Sequence, residues 1–180
     1  MAAFTVGIAG AGLLGRLLAW RLARQGRRVS VFDPAPGPDA RFGVQGDAQH
    51  AAGFTAAGML SPLAELDSAA PAVAALGWRS IDAWREITQA LAARPGFAQR
   101  GSLMLAHRSD LGAAQRVLAR LARAPADRAP PRALDAAQLA ELEPALQGAA
   151  HAWLLPGEAQ IDAGATMLAL QAEADGVAWL

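Results

Sequence analysis

The opening of the chain carries a glycine-rich motif between a segment of strand character and a segment of helix character. Residues 4–9 are apolar and rich in β-forming side chains, so a buried strand is predicted there. Further on, leucines recur at helical spacing, at Leu14, Leu17, Leu18 and Leu22. Gly10, Gly12 and Gly15 stand between the two segments and form the pattern G-x-G-x-x-G in the context that it requires.

Each glycine of this motif has a separate physical task. Gly10 makes the tight turn, Gly12 lets a pyrophosphate approach the backbone, and Gly15 lets helix and strand pack closely. The helix N-terminus then directs its free N–H groups and the positive end of its dipole at the phosphates. The motif therefore predicts dinucleotide binding in an α/β fold, with a purely structural βαβ unit as the alternative.

An acidic residue supports the nucleotide interpretation. A second strand is predicted over residues 28–32, and Asp33 stands at its C-terminal end, where a carboxylate can accept a hydrogen bond from an adenosine ribose hydroxyl. Asp33 follows Gly15 at close to the roughly 20 residues expected of this motif. An acid here, with no Arg directly after it, argues against a ribose 2′-phosphate and thus against NADP. The motif alone does not separate FAD from NAD.

Composition excludes several other functions. Sixteen basic residues balance sixteen acidic ones, so no net field favours nucleic acid or an acidic membrane. There is no cysteine, hence no disulfide, thiolate metal site or cysteine nucleophile. His50, His107 and His151 share no ligand spacing, so no metal site is predicted. No apolar run approaches the ~18 residues of a membrane helix, and a cytoplasmic protein is expected.

The rest of the chain alternates helices and strands. Strands are predicted over residues 101–107 and 151–155, and residues 125–132 read as a Pro-rich linker. Helices are predicted over residues 68–93, 110–124, 135–143 and 162–176, the third opened by a capping box at Asp135 and Gln138. The first of these helices has an apolar stripe of Leu76, Ile81, Trp84, Ile87 and Leu91.

A run of small residues between positions 55 and 62 follows a long loop-like stretch over residues 34–53. From the residues alone, it suits either a backbone that lies against a flat ligand or a closely packed helix. Its Ala-Ala-Gly-Met-Leu core at residues 56–60, with residues 10–15 and Asp33, resembles the bacterial glycine oxidases of the D-amino-acid-oxidase-like FAD family. Later segments that agree in order are residues 101–106, 141–146 and 151–162.

The resemblance covers essentially the whole chain and implies its fold and domains. The fold would be α/β, with an FAD-binding Rossmann-like domain interleaved with part of an α+β substrate domain. Residues 1–95 would hold the first segment of the FAD-binding domain, 96–156 part of the substrate domain, and 157–180 the return to the first domain. Residues 177–180 read as a strand just begun, so the chain is expected to be a truncated half of the longer family protein.

The resemblance also implies the site residues. Cofactor contacts would come from Gly10, Gly12, Leu13, Leu14, Gly15, Asp33, Pro34, Ala57, Gly58 and Met59. The first five would surround the pyrophosphate, the next two the ribose, and the last three the flavin ring, while Ser61 would face the substrate pocket. Two departures stand out: Asp33 replaces a commoner Glu, and residues 52–54 lack the hydroxyl side chains that are usual there. No catalytic residue is assigned.

The activity implied is oxidation of the amine of glycine or a small D-amino acid, with FAD as cofactor and oxygen as co-substrate. The products would be the imine or glyoxylate, ammonia and hydrogen peroxide, and the role could lie in thiamine thiazole biosynthesis. Nucleic acid and membrane are not expected partners, and homo-oligomer formation is left open. The 180 residues alone are not expected to oxidise an amine. The alternatives are a nicotinamide-dependent dehydrogenase, a quinone-linked D-amino acid dehydrogenase and a non-catalytic dinucleotide-binding fragment.

Gly12→Val is expected to abolish dinucleotide binding, because a branched side chain would occupy the space that the pyrophosphate needs. The measurement is the flavin content of the purified full-length variant, with circular dichroism as the control for folding. Unchanged flavin content in a folded variant would contradict the motif assignment.

Overall fold

The computed structural model describes residues 5–34 and 51–180. Its strands are β1 (Thr5–Ala9), β2 (Arg28–Phe32), β3 (Met59–Leu60), β4 (Phe97–Ala98), β5 (Ser102–Ala106), β6 (Arg132–Leu134), β7 (His151–Leu155), β8 (Ala159–Ile161) and β9 (Ala178–Trp179). Its helices are α1 (Leu13–Arg24), α2 (Pro62–Glu65), α3 (Pro71–Ala90), α4 (Leu111–Leu121), α5 (Ala136–Leu142) and α6 (Ala163–Ala172). Residues 35–50, most of the predicted long loop, lie outside the described residues.

The chain divides into two compact units, each built from separated segments. The first comprises Met1–Met59, Arg85–Phe97 and Ile161–Leu180, and the second comprises Leu60–Trp84 and Ala98–Gln160. The mixed arrangement of helices and strands confirms the predicted α/β class. The domain limits at residues 95 and 156 stay a prediction. Within the described ranges, no helix is both long and apolar enough to cross a membrane.

A parallel sheet of order β1-β2-β9 forms the centre of the first unit. Thr5 to Ala9 pair in register with Arg28 to Phe32, and Ala178 and Trp179 pair with Ser30 and Val31. Because α1 connects two parallel neighbours, the predicted strand-turn-helix-strand unit is present. The predicted strand at residues 177–180 is also present, as β9. Among the residues of β1, only Ile8 is buried, so the prediction of a buried strand was wrong for most of its length.

The leucines at helical spacing in α1 do not all lie on its buried face. Leu14 and Leu18 are 78% and 43% exposed, whereas Ala19 is fully buried. The reason lies at Gly15, where an added Cβ would collide with the carbonyl oxygen of Gly10. This contact brings the helix backbone against the turn and directs the face that holds Gly15 and Ala19 inward. The helix predicted from the spacing of these leucines is present as α1.

The second unit contains an antiparallel sheet of order β5-β7-β6. Ser102 pairs with Leu155 across β5 and β7, and Leu134 pairs with Ala152 across β6 and β7. Strands β5 and β7 were predicted. Strand β6 was not, because its three residues follow a proline-rich stretch and their strand conformation depends on pairing with β7, which is distant in sequence.

Local capping signals were reliable in this chain. In α5, Asp135 Oδ1 accepts from Gln138 N at 2.8 Å, and Gln138 Oε1 accepts from Asp135 N at 3.0 Å, which confirms the predicted capping box. Asp162 caps α6 by accepting from Ala165 N at 2.8 Å. The closely packed helix that was one of the two alternatives for residues 55–62 is absent, since β3 lies within that segment. Helix α3 begins at Pro71 rather than at residue 68.

The second unit contains an apolar core and a buried acid. A cluster of side chains from α2, α3, α4 and β7 forms this core: Leu63, Leu66, Ala74, Trp78, Leu121 and Leu155. Trp78 replaces Leu76 in the predicted stripe of α3, because Leu76 is exposed. Glu158 is 1% exposed; one carboxylate oxygen accepts from Ala64 N at 2.8 Å and the other from the hydroxyl of Ser102. This carboxylate therefore connects the first turn of α2 to β5.

Glu158→Ala is expected to lower the free energy of unfolding by about 2–5 kcal/mol, because each donor left without its acceptor costs about 1–3 kcal/mol. Urea unfolding of the full-length protein measures this loss, and Glu141→Ala, at an exposed position of α5, serves as the matched control. Equal stabilities of the two variants would show that the buried carboxylate does not hold the unit together.

Candidate dinucleotide-binding site

The backbone conformation of the glycine-rich turn between β1 and α1 allows a ligand to come close to the main chain. Gly10 adopts a φ of +96°, which side-chain-bearing residues rarely adopt, and its N–H donates to Phe32 O at 2.7 Å. An added Cβ at Gly12 would meet only Ala51 Cβ, at 3.9 Å, within the described structure. As far as residues 5–34 and 51–180 are concerned, space thus remains open beside Gly12, while Gly15 packs tightly against the turn.

The N-terminus of α1 is suited to an anion. Gly12 is the N-cap residue, no side chain caps the helix, and the first turn contains no acidic residue. The N–H groups of this turn point along the positive end of the helix dipole and favour negative charge. Leu13 and Leu14 begin the helix with exposed side chains. An uncapped helix N-terminus without acidic side chains can accept the negative charge of a diphosphate. The residues present therefore fit the dinucleotide that the motif predicts.

Asp33 lies beside the same turn. Its Oδ2 accepts from Ala11 N at 2.5 Å, and its own backbone N–H donates to Leu180 O at 2.9 Å. The carboxylate is therefore fixed at the carboxyl end of β2, next to the turn, and Pro34 follows it with an exposed ring. The hydrogen bond to a ribose hydroxyl stays a prediction.

Sequence reasoning missed Arg16, which the structure places at the centre of this site. Arg16 is only 2% exposed. Its Nε donates to Ala11 O at 2.6 Å, and its Nη1 donates to Met167 O at 3.1 Å and to the side-chain oxygen of Gln171. Arg16 directly follows Gly15, and the motif requires Gly15 to pack against the strand. This position next to Gly15 was the sequence signal from which burial of Arg16 could have been predicted.

Two aromatic rings complete the surroundings of this guanidinium. Its carbon lies 5.1 Å from the ring centroid of Phe54 and 5.8 Å from that of Trp179, distances typical of cation–π contacts. Burial lowers the pKa of Arg16 from its ordinary value, while the negative charge of Asp33 opposes this shift. Arg16 nonetheless remains a cation at neutral pH, because arginine keeps its proton in proteins.

The segment over residues 52–54, where hydroxyl side chains were expected from the resemblance, has a packing role. It forms a 3₁₀ turn (Ala52–Phe54). Phe54 covers Arg16, and an added Cβ at Gly53 would lie 2.8 Å from Met167 Sδ. This segment therefore packs against Arg16 and α6 through apolar and aromatic atoms.

The small-residue run lies on a separate segment of the first unit. Gly58 has a φ of +73°, and an added Cβ would collide with Ile161 O, so backbone packing alone requires glycine here. Gly58 O also accepts from Ile161 N at 2.9 Å. Ala57 and Met59, its neighbours, are exposed, with Met59 at 63%. Their predicted contact with a flavin ring stays a prediction.

The structure thus brings together Gly10, Gly12, Gly15 and Asp33 around Ala11. Ser61, the predicted substrate residue, is the N-cap residue of α2 and belongs to the second unit. In the described part of the chain, no three His, Cys, Asp or Glu side chains are grouped in a way that could hold a metal ion.

Comparisons with known proteins agree with this geometry. A family model described as "DAO: FAD dependent oxidoreductase" matches residues 5–179. A glycine oxidase structure from Geobacillus kaustophilus is 24% identical, with a TM-score of 0.72, and the alignment covers 97% of this chain and 45% of that one. Iminodiacetate oxidase (IdaA) from Chelativorans sp. BNC1 is 26% identical, with a TM-score of 0.70 and coverages of 98% and 46%.

A more distant structure has a similar fold. L-alpha-glycerophosphate oxidase from Mycoplasma pneumoniae, solved with FAD bound, is 15% identical, with a TM-score of 0.64, and the alignment covers the whole of this chain and 45% of that one. No curated protein matches the chain. The chain spans less than half the length of the solved structures compared here.

Asp33→Ala is expected to weaken FAD binding about ten- to a hundredfold, because losing a hydrogen bond to a charged group costs roughly 1.5–3 kcal/mol. The measurement is a fluorescence titration of the full-length apo-protein with FAD, and Asp175→Ala, at an exposed position of the first unit, is the matched control. If FAD affinity stays intact while turnover at saturating FAD falls, Asp33 has a different task.

Proposed function

Because the chain belongs to the DAO family of FAD-dependent oxidoreductases, we propose that the protein containing it oxidises the amine of glycine or of another small amino acid. The glycine-rich turn at the N-terminus of α1, open above Gly12 and without a side-chain cap, is the observation that carries the cofactor assignment. The likeness to glycine oxidase and iminodiacetate oxidase structures supports an amine as the substrate class.

In this proposal, the turn residues bind the diphosphate through backbone N–H groups, and Asp33 with Pro34 meets the adenosine ribose. Leu13 and Leu14 line the same turn with apolar atoms. FAD, when bound, supplies the hydride acceptor for the carbon that bears the amine. The work of this chain is then to hold the cofactor in one orientation, since the difficult chemistry belongs to the cofactor itself.

The substrate side of the proposal rests on the segment over residues 57–61, which contains β3. We propose that Ala57, Gly58 and Met59 lie beside the flavin ring and that Ser61 faces the substrate. Gly58 is held by its backbone contacts to Ile161, which supports a defined position for the backbone at the flavin. Ser61 carries no side-chain hydrogen bond to the helix that it begins, which leaves its hydroxyl suited to a polar group of the substrate.

The balanced reaction follows from this substrate class. The amine loses a hydride and a proton and becomes an imine, which water hydrolyses to a 2-oxo acid and ammonia. Oxygen takes up the two electrons and two protons and becomes hydrogen peroxide. For glycine the 2-oxo acid is glyoxylate.

We also propose a cytoplasmic location for the protein. Its biological role would be to supply an imine for thiamine thiazole synthesis.

An assay of the full-length protein tests this function. With FAD bound, peroxide formation and oxygen uptake are expected with glycine, sarcosine or D-alanine, and ammonia is expected in equal amount from glycine and D-alanine. The flavin-free Gly12→Val variant is the matched control and should give none. Reduction of a quinone without formation of peroxide would show that the protein is a dehydrogenase and not an oxidase. Absence of bound flavin would contradict the proposal as a whole.

A further inference from the structure

Both backbone polar groups of Ala11 are held by charged side chains. Its N–H donates to the carboxylate of Asp33 at 2.5 Å, and its carbonyl oxygen accepts from Nε of Arg16 at 2.6 Å. Ala11 lies between Gly10 and Gly12, in the middle of the turn that is proposed to bind the diphosphate. The two peptide planes on either side of Ala11 are thus fixed by opposite charges.

The orientation of the Ala11–Gly12 peptide plane decides whether the Gly12 N–H faces a ligand. No cis peptide bond occurs among the described residues, and in a planar trans peptide the C=O and N–H groups point in opposite directions. Since the Ala11 carbonyl points at the buried guanidinium, the N–H of Gly12 points the other way. In the proposed function, this is the side from which the diphosphate approaches; among the described residues, a Cβ added at Gly12 would meet only Ala51 Cβ, at 3.9 Å.

Arg16 is itself held firmly enough to fix this plane. Met167 O and the Gln171 side chain, both on α6, accept from Nη1, and the rings of Phe54 and Trp179 cover the guanidinium. A guanidinium has several donors in a rigid planar arrangement, so it can serve Ala11 and α6 together. The position of the turn is therefore tied to α6 through one side chain.

We propose that Arg16 is a positioning residue for the diphosphate of FAD, which orients the Ala11–Gly12 peptide so that the Gly12 N–H faces the ligand. This inference rests on the proposed assignment of the turn as the diphosphate site. Arg16 does not touch the ligand; it acts through Ala11, and Met167 and Gln171 keep it in place.

The first experiment compares ligands with and without phosphate on full-length apo-protein at a temperature where circular dichroism shows every variant folded. Arg16→Met should weaken FAD and ADP about ten- to a hundredfold, as expected when the Gly12 N–H is no longer oriented to donate to the charged diphosphate. Adenosine, which has no phosphate, should bind as it does to the unchanged protein. Arg24→Met, at an exposed position of the same helix, should leave all three affinities within about twofold.

A second variant covers the case in which Arg16→Met does not fold. Gln171→Met removes one acceptor of the guanidinium at a distance from the turn and should weaken FAD and ADP about two- to tenfold, with adenosine unchanged. Equal losses for ADP and adenosine, or FAD affinity within twofold of the unchanged protein in the folded variants, overturn the proposal. If the unchanged protein binds no FAD, the proposed function fails, which is a separate result.

Discussion

Burial of the Arg16 guanidinium is possible only because protein groups replace the water that it loses. Three oxygen atoms accept its hydrogen bonds, from Ala11, Met167 and Gln171, and two aromatic rings cover its faces. A buried charge without such partners costs several kcal/mol. The turn, α6 and the 3₁₀ turn at Ala52–Phe54 must therefore be in place together, and this requirement joins segments that are far apart in the chain.

The same requirement serves anion binding. A cation and a carboxylate hold the backbone of Ala11, and in the proposed function the N–H groups at the N-terminus of α1 then face the diphosphate. Backbone donors that are fixed before binding lose less conformational entropy when a diphosphate arrives. The turn is accordingly built around buried charges, although the ligand contacts proposed for it come from glycines and carry no charge of their own.

Structural features that depend on nearby residues could be predicted from the sequence, whereas features that depend on residues distant in the chain could not. The strand-turn-helix unit and the capping box at Asp135 follow from adjacent side chains, and both are present. The buried face of α1 depends on the close contact of Gly15 with the carbonyl oxygen of Gly10, so the spacing of the leucines alone does not indicate which face is buried. The partners of Arg16 on α6 lie about 150 residues away, and no local pattern indicates them.

The claim that the turn over residues 10–15 binds the diphosphate of FAD is tested most directly by competition. The full-length protein with FAD bound would be titrated with ADP and, separately, with FMN, and released FAD followed by fluorescence. ADP carries the diphosphate and adenosine of FAD, whereas FMN carries the flavin and one phosphate. The account predicts that ADP displaces FAD and that FMN does so far more weakly. Displacement by FMN but not by ADP would contradict it.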